Sequence, residues 1–560
     1  MGAVSSIPQQ QRSPLFPRIS LPCTSAEYLD TTFEQSQETL NEKIRSGGEN
    51  RQPSPTPQLS ATPHLFSSYA PQYTVSGDAS GAYQEFLKAF PEYLLTWTLD
   101  TLRRSDYRRL DTAGETYVDY MGGAIYPASL VRVHTEFLER SVLGNTHSIS
   151  NSSKLSLECA NGARAAVLSF FRASSEEYTV VFTANATGAL KLVGESYPFA
   201  GDSSYVLSAD SHNSVHGIRE FARHRGARVC YIPPTATGGF EPEIAQNILR
   251  DSRSPSAPCL FALTGQSNIT NTKNSLSIIE YAKSLGYHVL LDAAALAATS
   301  AISLTETPVD AMAVSFYKMF GFPTGVGALV VKKSFLKQLK RPWFAGGTVD
   351  LVQVPGTIVT LSEVLHEQFE DGTINYLSLP AVTEGLRFLS AYMPFLPLRL
   401  SSLMHYLVTS LSQSRHDTTG NPSLRILSAT PSRRLKSAGD QSDTGSIVSL
   451  LFLSPTGDIL SNSFVDYAAA KNNISLRTGC MCNPGGAAVM LNFQDEMCKL
   501  YEGATLKEFE TAVGHQVGVV RISLGLASNF QDVWNVVRFA ELLATQKTRE
   551  ALWDQYTSTD

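Results

Sequence analysis

The sequence predicts an α/β fold built on a mostly parallel sheet, followed by a smaller α+β domain. Three observations predict it. Apolar runs of strand length alternate with helix-like stretches from about residue 80. Most of those runs end in small or polar residues, and the unusual side chains cluster there. After about residue 385 the alternation gives way to a different texture. Alternation of this kind makes βαβ units and a parallel sheet, and such sheets place chemistry at the C-terminal ends of their strands.

Residues 1–80 stand apart. Nine of the 28 prolines fall there and Ser and Gln are frequent, so a disordered tail is expected. Inside it, "SAEYLDTTFEQSQETLNEKIRSGG" from Ser25 carries helix start and stop signals. "MGAVSS" formally fits a myristoylation pattern at Gly2 and Ser6. Residues 81–385 are the expected large domain. "AYQEFLKAFPEYLL" is helical with a break at Pro91, and "TYVDYMGGAIYP" is a short strand running into a glycine turn. Strands follow in "YTVVFTANAT", "SYVLSAD", "ARVCYIPP", "PCLFALTGQSN", "HVLLDAAA" and "DAMAVSFYK", most of them separated by helical stretches such as "SVHGIREFARHRG". Residues 386–560 are the expected small domain: a helical stretch leads to "LRILSAT", a polar loop follows, and "SIVSLLFLS" is a strand.

Bulk properties narrow the function. The chain of 560 residues is 43% hydrophobic, enough for a sizeable core, and its net charge of −6 argues against a nucleic-acid partner. No apolar run reaches the length of a spanning helix and no signal-like segment opens the chain, so no membrane partner is expected. Seven scattered cysteines do not read as a disulfide framework; a reducing, cytoplasmic setting is expected.

The strand ends carry the chemistry. "LLDAAA" puts Asp292 after a buried strand, where a lone carboxylate is costly. Lys318 follows in "SFYKMFGFPTGVG"; a buried lysine loses its proton easily and can form a Schiff base with a carbonyl. Thr183, Asn185 and Thr187 precede a helix, where phosphate binds, and His212 sits at another strand end. Singly, each has an ordinary reading: Asp292 a turn residue, His212 a loop histidine, Lys318 a solvated strand-end lysine. Together they fit a pyridoxal 5'-phosphate site, which needs a lysine for the aldehyde and an acid for the ring nitrogen. Cys480 and Cys482 lie two apart in the Gly/Pro-rich loop "RTGCMCNPGG". A flexible loop can deliver a thiolate, and Arg477 nearby would favour one. An i,i+2 disulfide is geometrically unfavourable, and without a second Cys/His cluster no metal site is expected.

"SFYKMFGFPTGVGALVVKK" resembles the pyridoxal-lysine segment of the molybdenum cofactor sulfurases, in their N-terminal cysteine desulfurase-like domain, among the class V aminotransferase-like enzymes of fold type I. "NTHSISNSSKLS", "HNSVHGIRE", "GQSN", "LLDAAALAAT", "FAGGTV", "FEDGTINYLSLPAV", "LRTGCMCNPGGA" and "VRISLGLASNFQDV" match in order, over about residues 85–545. The resemblance implies that Lys318 holds the cofactor and serves as acid/base. It also implies that Asp292 pairs with the pyridine nitrogen, that His212 stacks on the ring, and that Ala186, Thr187 and Ser315 bind the phosphate. Gln266 and Asn268 would contact cofactor oxygen or substrate, Arg521 would grip the substrate carboxylate, and Thr373 would reach the phosphate of a neighbouring subunit in a homodimer. Cys482 aligns with the persulfide cysteine. The implied activity moves sulfur from L-cysteine to Cys482 and on to an acceptor such as the molybdenum cofactor, releasing L-alanine. Two alternatives are a C–S lyase or other β-elimination enzyme on a specialised substrate, in which Cys482 is dispensable, and a protein that has lost catalysis. Two departures stand out. The match leaves no room before Asp560 for the family's molybdenum-cofactor-binding domain, and Tyr120 and Met121 replace an expected His and Ala in a segment expected to line the site.

Overall fold

The computed structural model describes residues 78–558. The expected short helix from Ser25, the Gly2 start and all but the last residues of the expected tail lie outside that range. Helix α1 (Ala79–Ala89) is capped by Asp78, whose carboxylate accepts from the N–H groups of Ser80 and Gly81, and Pro91 opens a 3₁₀ turn where the helix was expected to break. Strand β1 (Thr116–Tyr117) is short. Helix α2 (Asn151–Phe170), strand β2 (Tyr178–Thr183) and helix α3 (Ala186–Ser196) follow. Next come β3 (Ser204–Ser208), β4 (Arg228–Ile232), β5 (Cys259–Thr264), β6 (Tyr287–Asp292) and β7 (Ala311–Ser315). Helix α4 (Phe316–Phe320) grows directly out of β7 and is followed by β8 (Gly327–Lys332). A hairpin of β9 (Val349–Val352) and β10 (Val359–Leu361) precedes helices α5 (Leu379–Tyr392) and α6 (Leu396–Ser412). The last part contains β11 (Leu424–Ile426), β12 (Ile447–Phe452), β13 (Ile474–Ser475), β14 (Arg477–Gly479), helix α7 (Pro484–Leu491), β15 (Val519–Ser523) and helix α8 (Phe530–Ala544).

Seven strands form one sheet in the order β2-β8-β7-β6-β5-β3-β4. It is parallel from β7 to β4, and β8 runs antiparallel to both of its neighbours. Both faces are buried, as the near-continuous apolar runs require. Along β6, Val289 and Leu291 enter one core and Leu290 the other; along β8, Ala328 and Val330 alternate with Leu329 and Val331 in the same way. The C-terminal part supplies a four-stranded antiparallel sheet, β11-β12-β15-β14. Its inward residues Val448, Leu450, Val520 and Ile522 belong to the same continuous core as Val289 and Leu291. Position 385 lies inside α5. Among the described residues no helix is long and apolar enough to cross a membrane, and no cluster of three or more His, Cys, Asp or Glu could hold a metal ion.

Candidate active site

The C-terminal edge of the large sheet gathers the reactive side chains, because each of its parallel strands ends there. β6 ends on Asp292 and β7 on Ser315, three residues before Lys318 in α4. β5 ends two residues before Gln266, and β3 four residues before His212, which caps the short helix Asn213–His216. β2 ends just before the start of α3. Between these ends lies a cavity of about 140 Å³, lined by Ala186, Thr187, His212, Gln266, Asn268, Asp292, Ser315 and Lys318, with Asn185 and Tyr317 among its other walls. Eight of the residues expected at the site therefore share one cavity. Arg521, Cys482 and Thr373 do not line it.

Burial lowers the proton affinity of the Lys318 amine; Asp292 opposes the shift, while Arg521 and Arg477 add to it. Such an amine is a nucleophile and base closer to neutral pH than an ordinary lysine. His212 is likewise pushed toward its neutral form by burial, against the pull of Asp292. Its Nδ1 accepts from the Ser214 N–H at 3.1 Å, which puts the proton of the neutral ring on Nε2. Asp292 is buried, and one carboxylate oxygen accepts from the Ala294 N–H at 3.0 Å.

Another part of the wall is the start of α3. Asn185 caps α3 by accepting from the Gly188 N–H at 3.0 Å, the Ala186 N–H donates to Ser315 Oγ at 2.8 Å, and Thr187 Oγ1 lies 2.8 Å from Ser214 Oγ. First-turn N–H groups and hydroxyls at a helix start are what a phosphate needs. Gln266 is 2% exposed, and neither amide atom of its side chain has a partner. A buried amide with unmade hydrogen bonds is costly, so its place in the cavity wall calls for a ligand.

Arg521 comes from β15 and is 1% exposed. Nη2 donates to Asp119 Oδ1 at 2.6 Å and Nη1 to the Asn268 carbonyl at 3.0 Å, while Nε has no partner. Arg477 stands directly opposite it in the β14–β15 ladder. The cysteine loop, expected as a flexible arm, is tied back: Asn268 Nδ2 donates to the Met481 carbonyl and the Asn213 N–H to the Cys482 carbonyl, each at 2.7 Å. Cys480 and Cys482 are exposed thiols on either side of buried Met481. Thr373 is exposed, accepts from Asn145 Nδ2 at 3.2 Å, and follows Glu370, whose buried carboxylate pairs with Arg164 at 2.7 Å. Tyr120 and Met121 do not line the cavity as expected. Both are packed into the core, Met121 against Ala295 of the cavity wall and Ile447.

A family model, Aminotransferase class-V, matches residues 116–536. The chain belongs to the class-V aminotransferase family. Members of this family use pyridoxal 5'-phosphate, and the cavity fits that group: a half-buried amine, a carboxylate at the neighbouring strand end, a helix start and an unsatisfied amide surround it. Among curated proteins, the chain is 31% identical over 497 residues to the molybdenum cofactor sulfurase of Arabidopsis thaliana, covering 81% of this chain and 60% of that protein. It is 33% identical over 473 residues to the molybdenum cofactor sulfurase of Bos taurus, covering 80% of this chain and 52% of that protein. The chain thus spans little more than half the length of the curated relatives it matches. Among solved structures, the cysteine desulfurase of Thermococcus onnurineus NA1 superposes with a TM-score of 0.62 at 20% identity, over 80% of this chain and 98% of that chain. The cysteine desulfurase CsdA of Escherichia coli does so at 0.61 and 19%, over 81% and 98%. These two show the fold of a class-V enzyme.

Among the residues that sequence reasoning passed over are four in or around this cavity. Tyr317 lines the cavity beside Lys318. Asp119 engages Arg521. Asp210 and Asn483 hydrogen-bond to each other at 2.7 Å beneath the cysteine loop. All four sit inside segments already singled out, one to three residues from a chosen residue. The missing signal was which side chains of those segments meet, and sequence spacing does not carry it.

Proposed function

We propose that this protein is a pyridoxal-phosphate-dependent cysteine desulfurase-type sulfurtransferase, taking sulfur from L-cysteine onto Cys482 and releasing L-alanine. The observation that carries the reading is one cavity holding Lys318, Asp292, His212 and the α3 start, with an exposed cysteine loop tied to the Asn213 N–H beside His212. Lys318 would hold the cofactor aldehyde, Asp292 would keep a proton on the pyridine nitrogen, His212 would stack on the ring, and Ala186, Thr187 and Ser315 would bind the phosphate, with Gln266 satisfying its amide on a cofactor oxygen. When bound, the group supplies an electron sink for the substrate α-carbon. The Lys318 amine, its proton affinity lowered by burial, takes the α-proton and returns it later. Arg521 and Asn268 orient the substrate carboxylate. The Cys482 thiolate attacks the substrate sulfur, the S–Cβ bond breaks, and Cβ takes a proton to give alanine.

Thr373 lies outside its own chain's cavity and on a stretch rich in exposed apolar residues, among them Trp343, Val354 at 85% and Ile358 at 60%. That supports a homodimer in which Thr373 reaches the partner's phosphate site, with the expected large domain, residues 81–385, carrying the contact. The relatives' names point to the molybdenum cofactor as final sulfur acceptor. Thiols left unpaired at Cys159, Cys230, Cys259, Cys480 and Cys482 fit a reducing cytoplasm.

The test is to supply L-cysteine, measure alanine, and weigh the loop peptide for one added sulfur. The wild type should form alanine and a persulfide on Cys482. Lys318→Ala should lose the visible band of the bound cofactor and about 10³-fold in rate. Full turnover by Cys482→Ser would remove the persulfide step and leave a C–S lyase.

A further inference from the structure

Asp210 is fully buried, just past the end of β3, and belongs to no ion pair among the described residues. Its carboxylate accepts four hydrogen bonds. Oδ1 accepts from Ser267 Oγ and Asn483 Nδ2, each at 2.7 Å. Oδ2 accepts from Thr270 Oγ1 at 2.7 Å and from the Gly239 N–H at 2.8 Å. A buried carboxylate without a cation is expensive unless its oxygens are satisfied in this way. The four donors come from three separate segments: the turn after β5, the turn at residues 238–239, and the cysteine loop.

The arm to Asn483 concerns the thiols. Asn483 directly follows Cys482 and is itself fully buried. Its Nδ2 also donates to Asn268 Oδ1 at 3.1 Å, and its Oδ1 caps α7 by accepting from the Gly486 N–H at 2.9 Å. Backbone packing supports the same seat. A Cβ on Gly485 would stand 2.1 Å from the Ala209 carbonyl oxygen, and one on Gly486 would stand 2.7 Å from Asp210 Oδ1. Only a pair of glycines lets the start of α7 approach so closely. Met481 is buried in an apolar cluster with Ile269, Ala488 and Val519. Met481 and Cys482 both have left-handed backbones, φ 57° and 56°, a conformation non-glycine residues hold only when their surroundings impose it.

We propose that Asp210 is a positioning residue that presets the cysteine loop, so that Cys482 is presented beside His212 from a fixed perch instead of a swinging arm. This rests on the reading of Cys482 as the sulfur carrier. On it, the sulfur acceptor must come to the loop, because the loop does not travel to the acceptor.

Thiol labelling of the intact protein tests this without turnover. Cys482 is alkylated with iodoacetamide, its rate is read by peptide mass, and exposed Cys498 on another helix is the internal standard. Asp210→Asn replaces an acceptor with a donor facing Asn483. Asn483→Ser keeps a good helix cap but is too short to reach Asp210, and it decides the matter if Asp210→Asn does not fold. Each should speed Cys482 labelling about tenfold relative to Cys498, the effect of losing one charge-assisted hydrogen bond. The exchange of both residues, Asp210→Asn with Asn483→Asp, should restore slow labelling. Wild-type labelling rates in folded Asn483→Ser, or equal acceleration of Cys498, would overturn the proposal. Absence of alanine from wild-type protein would instead overturn the desulfurase reading and leave the labelling result standing.

Discussion

Lys318 is surrounded by charges of both signs, and their separate effects can be measured. Asp292 raises its proton affinity while Arg521 and Arg477 lower it, on top of the dominant lowering by burial. Arg477 is the useful handle, since it is exposed and its guanidinium enters no ion pair among the described residues. Removing its charge takes away a repulsion against the protonated amine. Arg477→Gln should therefore let Lys318 hold its proton to higher pH, and the acid limb of cofactor attachment should move upward. A surface charge acts through solvent, so the displacement is small and salt-sensitive. It should shrink when the wild type and variant are compared in high salt. The measurement is the visible absorbance of cofactor-reconstituted protein against pH. A shift to lower pH, or one that salt leaves untouched, contradicts this electrostatic account.

At the scale of elements, the site depends on how closely β8 sits against the start of α3. A Cβ on Gly327 would stand 2.5 Å from Asn185 Cα and 2.7 Å from the Val314 carbonyl oxygen. Gly327→Ala must push β8 away from the helix cap or from β7, at a cost of about 1–3 kcal/mol. The strain falls on Asn185 and Ser315 together, so cofactor retention after gel filtration should drop about tenfold or more while the far-ultraviolet spectrum persists. Retention equal to wild type would show that the start of α3 tolerates displacement. Elements of this kind were legible in the sequence. The apolar runs ending at Thr183, Ser208, Thr264, Asp292 and Ser315 became strands because both sheet faces are buried, which leaves long unbroken Val, Leu and Ala runs. The short strands β13 and β14 were not separable from loops: two or three residues hold no period, and their pairing is decided by distant partners such as Ile474 with Thr116. The residues at strand ends were legible as well, since each closely follows an apolar run and parallel strands finish on one edge of the sheet. Asp119 and Asp210 were not, because their partners Arg521 and Asn483 lie hundreds of residues away.

The whole molecule is held together partly by the seam between its seven-stranded and four-stranded sheets, and that seam contains a titratable group. The Asn271 carbonyl accepts from the Gly445 N–H, its Oδ1 accepts from the Ile447 N–H, and its Nδ2 donates to the Ala429 carbonyl across it. Two residues on, the Lys273 amine donates to the Ser442 carbonyl at 2.9 Å. Burial lowers Lys273 to about 8, with Asp443 pulling the other way. In the unfolded chain it keeps its proton to its ordinary value of about 10.4. Between those values the unfolded state binds more protons than the folded one, so stability must rise as pH climbs from about 8 to about 10. Below that window the fold carries a constant penalty of about 3 kcal/mol. Buried tyrosines such as Tyr205, whose proton affinity is raised by burial, act in the opposite sense near the top of the window, so the wild-type curve alone is ambiguous. The difference from Lys273→Met is not, because the tyrosines are common to both. In urea unfolding at pH 7.5, 8.5 and 9.5, the variant should be the more stable protein at the lowest pH, by the penalty less about 1 kcal/mol for the lost hydrogen bond to Ser442. Its advantage should fade as pH rises and Lys273 becomes neutral in the folded wild type at a diminishing cost. Parallel curves for the two proteins would mean that Lys273 keeps its charge within the seam, satisfied there by Ser442 and Asp443.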